Sequence, residues 1–168
     1  MLNQSKESVF DLEFISQAEK NDLLSISESS RTAELKDCSI LHDFESQVNE
    51  TPNALAVFDD QSSLTYDELN QKANQLAHYL KENHGVQPDT LVGLCLERSL
   101  EMVIGIFGIL KAGGAYVPLD PDYPEDRLAY MLADAEIQAV LTQETVLART
   151  PIKESQAMCL DADKLQAT

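Results

Sequence analysis

Leu110-Lys111-Ala112-Gly113-Gly114-Ala115-Tyr116-Val117-Pro118-Leu119-Asp120 is the stretch that decides the fold. An apolar helix closes at its start, two glycines turn the chain, and a short strand runs into a proline-rich loop. Gly113 and Gly114 take positive φ without a Cβ clash, which suits the C′ position where a helix ends. Ala115 to Leu119 has the apolar, partly β-branched character of an inner strand. Pro118 belongs near its end, where a missing N–H costs little. Helix, glycine turn and strand make the second half of a βαβ crossover.

Working outward, Thr90 to Leu96 is almost continuously apolar, as expected of a strand covered on both faces. Ser99 is placed to cap the next helix, with Glu101 in its first turn where a negative charge suits the dipole. Leu100 to Leu110 is apolar nearly all round, so this helix is buried or lies at a contact. Gly105 and Gly108 cost helix propensity, which implies that another element packs close against them. After the strand, Pro124 fits the first helical position, Glu125 and Asp126 offset the dipole, and Arg127 is expected in a local ion pair. That helix runs to about Ala135 and buries Leu128, Met131 and Leu132. Gln138 to Thr142 is a further strand, Glu144 to Ala148 a helical turn, and Ala157 to Leu160 a last strand.

Ala54 to Phe58 and Ser63 to Thr65, joined through Asp59-Asp60-Gln61-Ser62, read as a β-hairpin. Thr65-Tyr66-Asp67-Glu68 is a capping box, with Leu64 and Leu69 as its hydrophobic staple. Leu69, Ala73, Leu76, Ala77 and Leu80 form one stripe of the following helix, and Gly85 stops it. Ile40 to Val48 carries Leu41, Phe44 and Val48 at helical spacing. The fold class is therefore α/β, a β-hairpin followed by βαβαβ with a mainly parallel sheet. Residues 1–39 read as a linker with one short helix, Ser16 to Leu24, in which Ser16 is N-cap and Glu19 its partner. Val9 to Ile15 is an isolated strand or anchor, and Ser25 to Asp37 is polar linker.

The chain of 168 residues carries 12 Lys and Arg against 29 Asp and Glu, a formal net charge of −17. That balance opposes binding to nucleic acid or to anionic lipid. No apolar run reaches the ~18 residues of a membrane span, and the N-terminus lacks a signal-peptide layout. Cys38, Cys95 and Cys159 are scattered, outside any C-x-x-C, and read as reduced cytoplasmic thiols. Cys95 is a small core residue with nothing nearby to lower its pKa. His42 reads as a surface or capping residue. Neither His78 nor His84 has a carboxylate or cysteine at ligand spacing. The carboxylates of Asp120-Pro121-Asp122-Tyr123-Pro124-Glu125-Asp126 lack the glycine and closing glutamate of a calcium loop.

Leu64-Thr65-Tyr66-Asp67-Glu68-Leu69 resembles the first signature motif of the adenylation domains of non-ribosomal peptide synthetases, and Leu110 through Asp120 resembles the second. Glu97-Arg98-Ser99 and Pro121-Asp122-Tyr123-Pro124 are also similar to this family. Phe14 to Leu24 is similar to the linker that joins a condensation domain to an adenylation domain. The resemblance implies the N-terminal portion of the domain over 40–168, within the superfamily of AMP-dependent, acyl-adenylate-forming ligases. It further implies ATP and Mg²⁺ in the complete domain and an amino acid as substrate. The expected partners are the rest of the adenylation domain, a condensation domain, and a carrier domain bearing phosphopantetheine.

The family's Ser/Thr/Gly-rich phosphate loop, ribose-binding acid, substrate pocket and C-terminal lysine match no residues of this sequence. Catalytic, cofactor-binding and metal residues are therefore expected to be none here, and the segment is expected to be inactive by itself. Lys111 is not the family's lysine, because it sits at a helix C-terminus where a cation favours the dipole. Two alternatives stand beside this reading. One is a segment of a fatty-acyl or aryl ligase; the other is a non-catalytic interaction module or half of a split enzyme.

Overall fold

The structure, a computed structural model, describes residues 16–29, 39–60 and 62–161, with the side chains of 24–29 left out. The expected strand at Val9–Ile15 and Cys38 lie outside the described residues. The chain divides into two compact units between Cys38 and Ser39. In the first, helix α1 (Gln17–Ser29) begins at a reciprocal cap. The Ser16 N–H donates to Glu19 Oε2 at 2.8 Å, and the Glu19 N–H donates to Ser16 Oγ at 3.3 Å. The helix outruns its expected end at Leu24, because no glycine or proline interrupts Ser25–Ser29.

The second unit opens with α2 (Ile40–Glu50), capped by Ser39, whose hydroxyl accepts from the His42 N–H at 3.3 Å. The hairpin β1 (Leu55–Phe58) and β2 (Ser63–Thr65) follows, antiparallel, with a bulge between Leu55 and Val57. Helix α3 (Tyr66–His84) starts on the expected capping box. The Glu68 N–H donates to Thr65 Oγ1 (3.3 Å), and the Thr65 N–H donates to Glu68 Oε2 (2.8 Å). Gly85 ends the helix at φ 61°, and the Val86 N–H returns to the Leu80 carbonyl. Phe44, Val48 and Leu69 form a small core, joined by Leu64 and by Phe107 stacked 4.1 Å from Phe44.

Next come β3 (Leu91–Leu94), α4 (Leu100–Ala112), β4 (Ala115–Pro118), α5 (Glu125–Asp134), β5 (Ala139–Thr142), α6 (Glu144–Leu147) and β6 (Ala157–Cys159). The sheet is parallel throughout, in the order β4-β3-β5-β6. One core holds Leu76 and Leu80 of α3 and Ile109 of α4 against Val92, Leu94 and Leu141. The other holds Leu128 and Val146 against Val140 and Leu119. The two sets of helices therefore cover opposite faces of the sheet.

The glycines of α4 do what their helix cost implied. A Cβ at Gly108 would stand 2.5 Å from Leu76 Cδ2, and one at Gly105 would stand 2.8 Å from Leu94 Cδ1. So α3 presses on one side of α4 and the sheet on the other.

Several expectations need correction. β4 is an edge strand with Ala115, Tyr116 and Pro118 exposed, because β5 pairs on the far side of β3. Only Gly113 takes positive φ (91°); Gly114 is needed for room, since its Cβ would meet Val86 Cγ1 at 2.9 Å and the Thr90 carbonyl at 3.0 Å. Pro124 is the N-cap of α5, one position earlier than expected, because its ψ of 141° is extended. Met131 and Leu132 are half-buried rather than buried.

Gly108→Val is expected to lower the unfolding free energy by about 2–3 kcal/mol in urea denaturation, the cost of forcing bulk into a filled core. Adding Leu76→Ala should recover part of that loss; strictly additive losses would refute the close fit. Thr65→Ala should cost about 1 kcal/mol as a lost cap. The Glu68 carboxyl is held below the usual glutamate range, first by the Thr65 N–H and then by its hydroxyl. Its contribution to stability is present above the unfolded pKa and fades as pH falls through the lower folded value. In the Thr65→Ala chain, NMR titration should show the Glu68 pKa moving back up.

Candidate functional site

From β3 the chain crosses α4 to β4 on one side, then returns through α5 to β5 on the other. Open parallel sheets bind ligands outside the carboxyl ends of their strands where the order reverses in this way. Here a crevice of about 860 Å³ opens at that end of the sheet. Its apolar wall is Leu94, Leu96, Met102, Ile106 and Tyr116; its polar rim is Glu97, Arg98, Asp120, Asp122 and Arg149.

The mouth is held by side chains of the chain itself. Arg149 donates from Nη1 to Asp122 Oδ1 at 2.9 Å and from Nη2 to Glu97 Oε1 at 2.8 Å. It thereby ties the segment after α6 to the end of β3 and to the loop after β4. The hydrogen bond to Asp122, before any other cause, raises the Arg149 pKa above its ordinary value. Gln143, just past β5, accepts from the Glu97 N–H at 3.0 Å and donates to Ser99 Oγ at 3.4 Å. That contact explains why Ser99 makes no cap bond to α4 as expected: its backbone is fully extended and its hydroxyl faces Gln143.

Of the residues weighed in the sequence, Glu97, Arg98, Asp120 and Asp122 lie on this rim and others do not. Cys95 is buried directly behind the crevice, and desolvation pushes its thiol up to about 11 against the pull of Arg149. It packs in the core beside Leu119, Leu128 and Val140, and a thiol raised by burial is a poor nucleophile. Arg127 makes no ion pair among the described residues; its guanidinium lies 3.9 Å over the Tyr123 ring. The loop's ion pairs belong to Arg149, in a stretch whose weak periodicity gave no sign of them. Lys111 does more than favour a dipole: buried at the end of α4, it pairs with Glu45 of α2 at 2.6 Å. His42 and His78 are exposed on α2 and α3.

Nucleotide phosphates need convergent backbone N–H groups and cations, and magnesium needs convergent oxygens. The rim offers three carboxylates against two arginines, and one arginine is already shared between two of the carboxylates. No cluster of three His, Cys, Asp or Glu suited to a metal occurs among the described residues. The described residues do not fit a magnesium–nucleotide pair. None of the described helices is long and apolar enough to cross a membrane.

The sequence matches the AMP-binding enzyme family over residues 44–168. The chain belongs to that family. A linear gramicidin synthase from Brevibacillus parabrevis is 48% identical over 163 residues, 96% of this chain and 3% of that protein. Bacitracin synthase 2 of Bacillus licheniformis is 48% identical over 80% of this chain and 5% of its own length. The chain thus spans only a few per cent of the length of the curated relatives it matches.

Among solved structures, the AMPPNP-bound form of the nonribosomal peptide synthetase FmoA3 superposes with a TM-score of 0.76 at 35% identity. The match covers 86% of this chain and 16% of that one. The Klebsiella oxytoca NpsA N-terminal subdomain shares the fold alone, with a TM-score of 0.63 at 24% identity, over 72% of this chain and 30% of that one. The fold is that of the N-terminal subdomain of a peptide-synthetase adenylation domain.

With its thiol pushed up to about 11, Cys95 is expected to resist iodoacetamide at pH 8 in the native chain. Peptide mass mapping should show it alkylated only after unfolding in urea. Labelling of the native chain at a rate matching the unfolded one would contradict the burial.

Proposed function

We propose that this chain is structural wall for an amino-acid-activating site whose reacting groups come from other parts of a larger synthetase. The carrying observation is the crevice itself. It lies where an α/β sheet binds its ligands, yet its rim is acidic and cross-tied by Arg149 and Gln143. Such a mouth ties the segments after β3, β4 and β5 together and, among the described residues, leaves Arg98 as its one cation outside those ties. The relatives named as gramicidin and bacitracin synthases, and the FmoA3 form bound to alpha-methyl-L-serine-AMP, support activation of an amino acid for peptide synthesis; ATP and Mg²⁺ are then used by the complete domain. In that setting residues 1–39 serve as the linker from a condensation domain, and a carrier domain with its phosphopantetheine thiol receives the product. A cytoplasmic location goes with that role.

The relatives that match at 43–48% identity over nearly all of this chain are linear gramicidin synthases, and that favours the peptide-synthetase branch over a fatty-acyl or aryl ligase.

ATP–pyrophosphate exchange, scanned over the common amino acids, tests the proposal. The purified 168-residue chain is expected to give no exchange above a blank. The same residues within a complete adenylation domain should give exchange with one amino acid or a few. Exchange by the isolated chain would overturn the division of labour.

A further inference from the structure

A second concavity lies at the opposite end of the sheet from the crevice, between α2 and α3. Helix α4 returns antiparallel to the strands, so its last turn brings Lys111 beneath this groove. Two lobes, of about 320 and 210 Å³, share Glu45, Asn74 and Lys111 as walls. The larger adds His42, His78 and Lys81. The chain has 12 Lys and Arg against 29 Asp and Glu, and three His. Yet two lysines and two of those histidines line this groove, facing a single carboxylate. A concave wall in which cations outnumber the carboxylate favours an entering anion.

The groove also holds unused donors. The Lys111 side chain is 8% exposed, and its ammonium has one hydrogen-bond partner among the described residues, Glu45 Oε1. An ammonium carries three N–H donors, so two are open. The Phe44 ring, 5.8 Å from Nζ, contributes a cation–π contact without accepting a hydrogen bond. The side chains of His42, His78 and Lys81 make no hydrogen bond or ion pair among the described residues. Glu45 is 55% exposed, so it can release Lys111 and turn to water. The first turn of α2, an 11-residue helix, lines the larger lobe through Leu41 and His42 and adds its positive end.

We propose that this groove binds a phosphate-type oxyanion. Lys111 is the buried anchor, Lys81 and the two imidazoles are outer contacts, and Glu45 is the side chain the anion displaces. The site lies away from the crevice and does not depend on the function proposed above.

The test is calorimetric titration of inorganic phosphate into the whole chain, with ionic strength held constant by sodium chloride so that screening does not vary. A second arm uses glycerol 3-phosphate: tighter binding there names a phosphomonoester, and tighter binding of phosphate names the free ion. Saturable binding is expected. Lys81→Gln should weaken it about fivefold, and Glu45→Gln should tighten it about threefold, each by changing one charge beside the anion. Circular dichroism checks that both variants fold. The sign for Glu45 discriminates: a glutamate that merely positions Lys111 would weaken binding when replaced, and that result overturns the proposal. So does the absence of saturable binding in both arms, or an affinity that neither substitution moves.

Discussion

Leu76 of α3 fills the space where residue 108 of α4 would carry a Cβ, and the rest of the fold depends on that fit. Because position 108 is glycine, the two helices approach closely. Because position 105 is glycine, α4 also seats against Leu94 and Leu141 of the sheet. A helix squeezed from both sides has little freedom to slide or rotate, since close-packed interiors are not continuously deformable. Its two ends are thereby set. One end delivers the Gly113-Gly114 turn to β4, and the other receives the chain from β3.

The two ends of α4 then carry opposite kinds of surface. At its C-terminus a buried lysine reaches α2 and looks into a groove of positive character. At its N-terminus the carboxyl ends of β3 and β4 open a crevice with an apolar wall and an acidic rim. Arg149 and Gln143 bind that rim together across three separate stretches of chain. Both signature stretches have mechanical work: one caps α3, and the other turns α4 into an edge strand that ends at Pro118. A family resemblance carried by such motifs identifies an architecture before it identifies a reaction.

The peptide synthetases that match this chain at 43–48% identity over nearly its whole length are far longer than it.

The sequence by itself determined the local structure. Capping at Thr65 and Glu68, the stripe from Leu69 to Leu80 and the stop at Gly85 were legible because each rests on residues a few positions apart, and the parallel pairing because strands alternate with helices along the chain. Tertiary structure decided what depends on distant partners. β4 reads as an inner strand by composition and becomes an edge because β5 pairs with the other side of β3. Ser99 reads as a cap and instead meets Gln143, 44 positions away. Lys111 reads as a dipole partner and instead binds Glu45, 66 positions away. Arg149 carried no signal at all, since an ion pair between two loops leaves no periodicity in either. Local hydrogen bonds and spacing are written along the chain; which faces meet is settled only when the helices pack on the sheet.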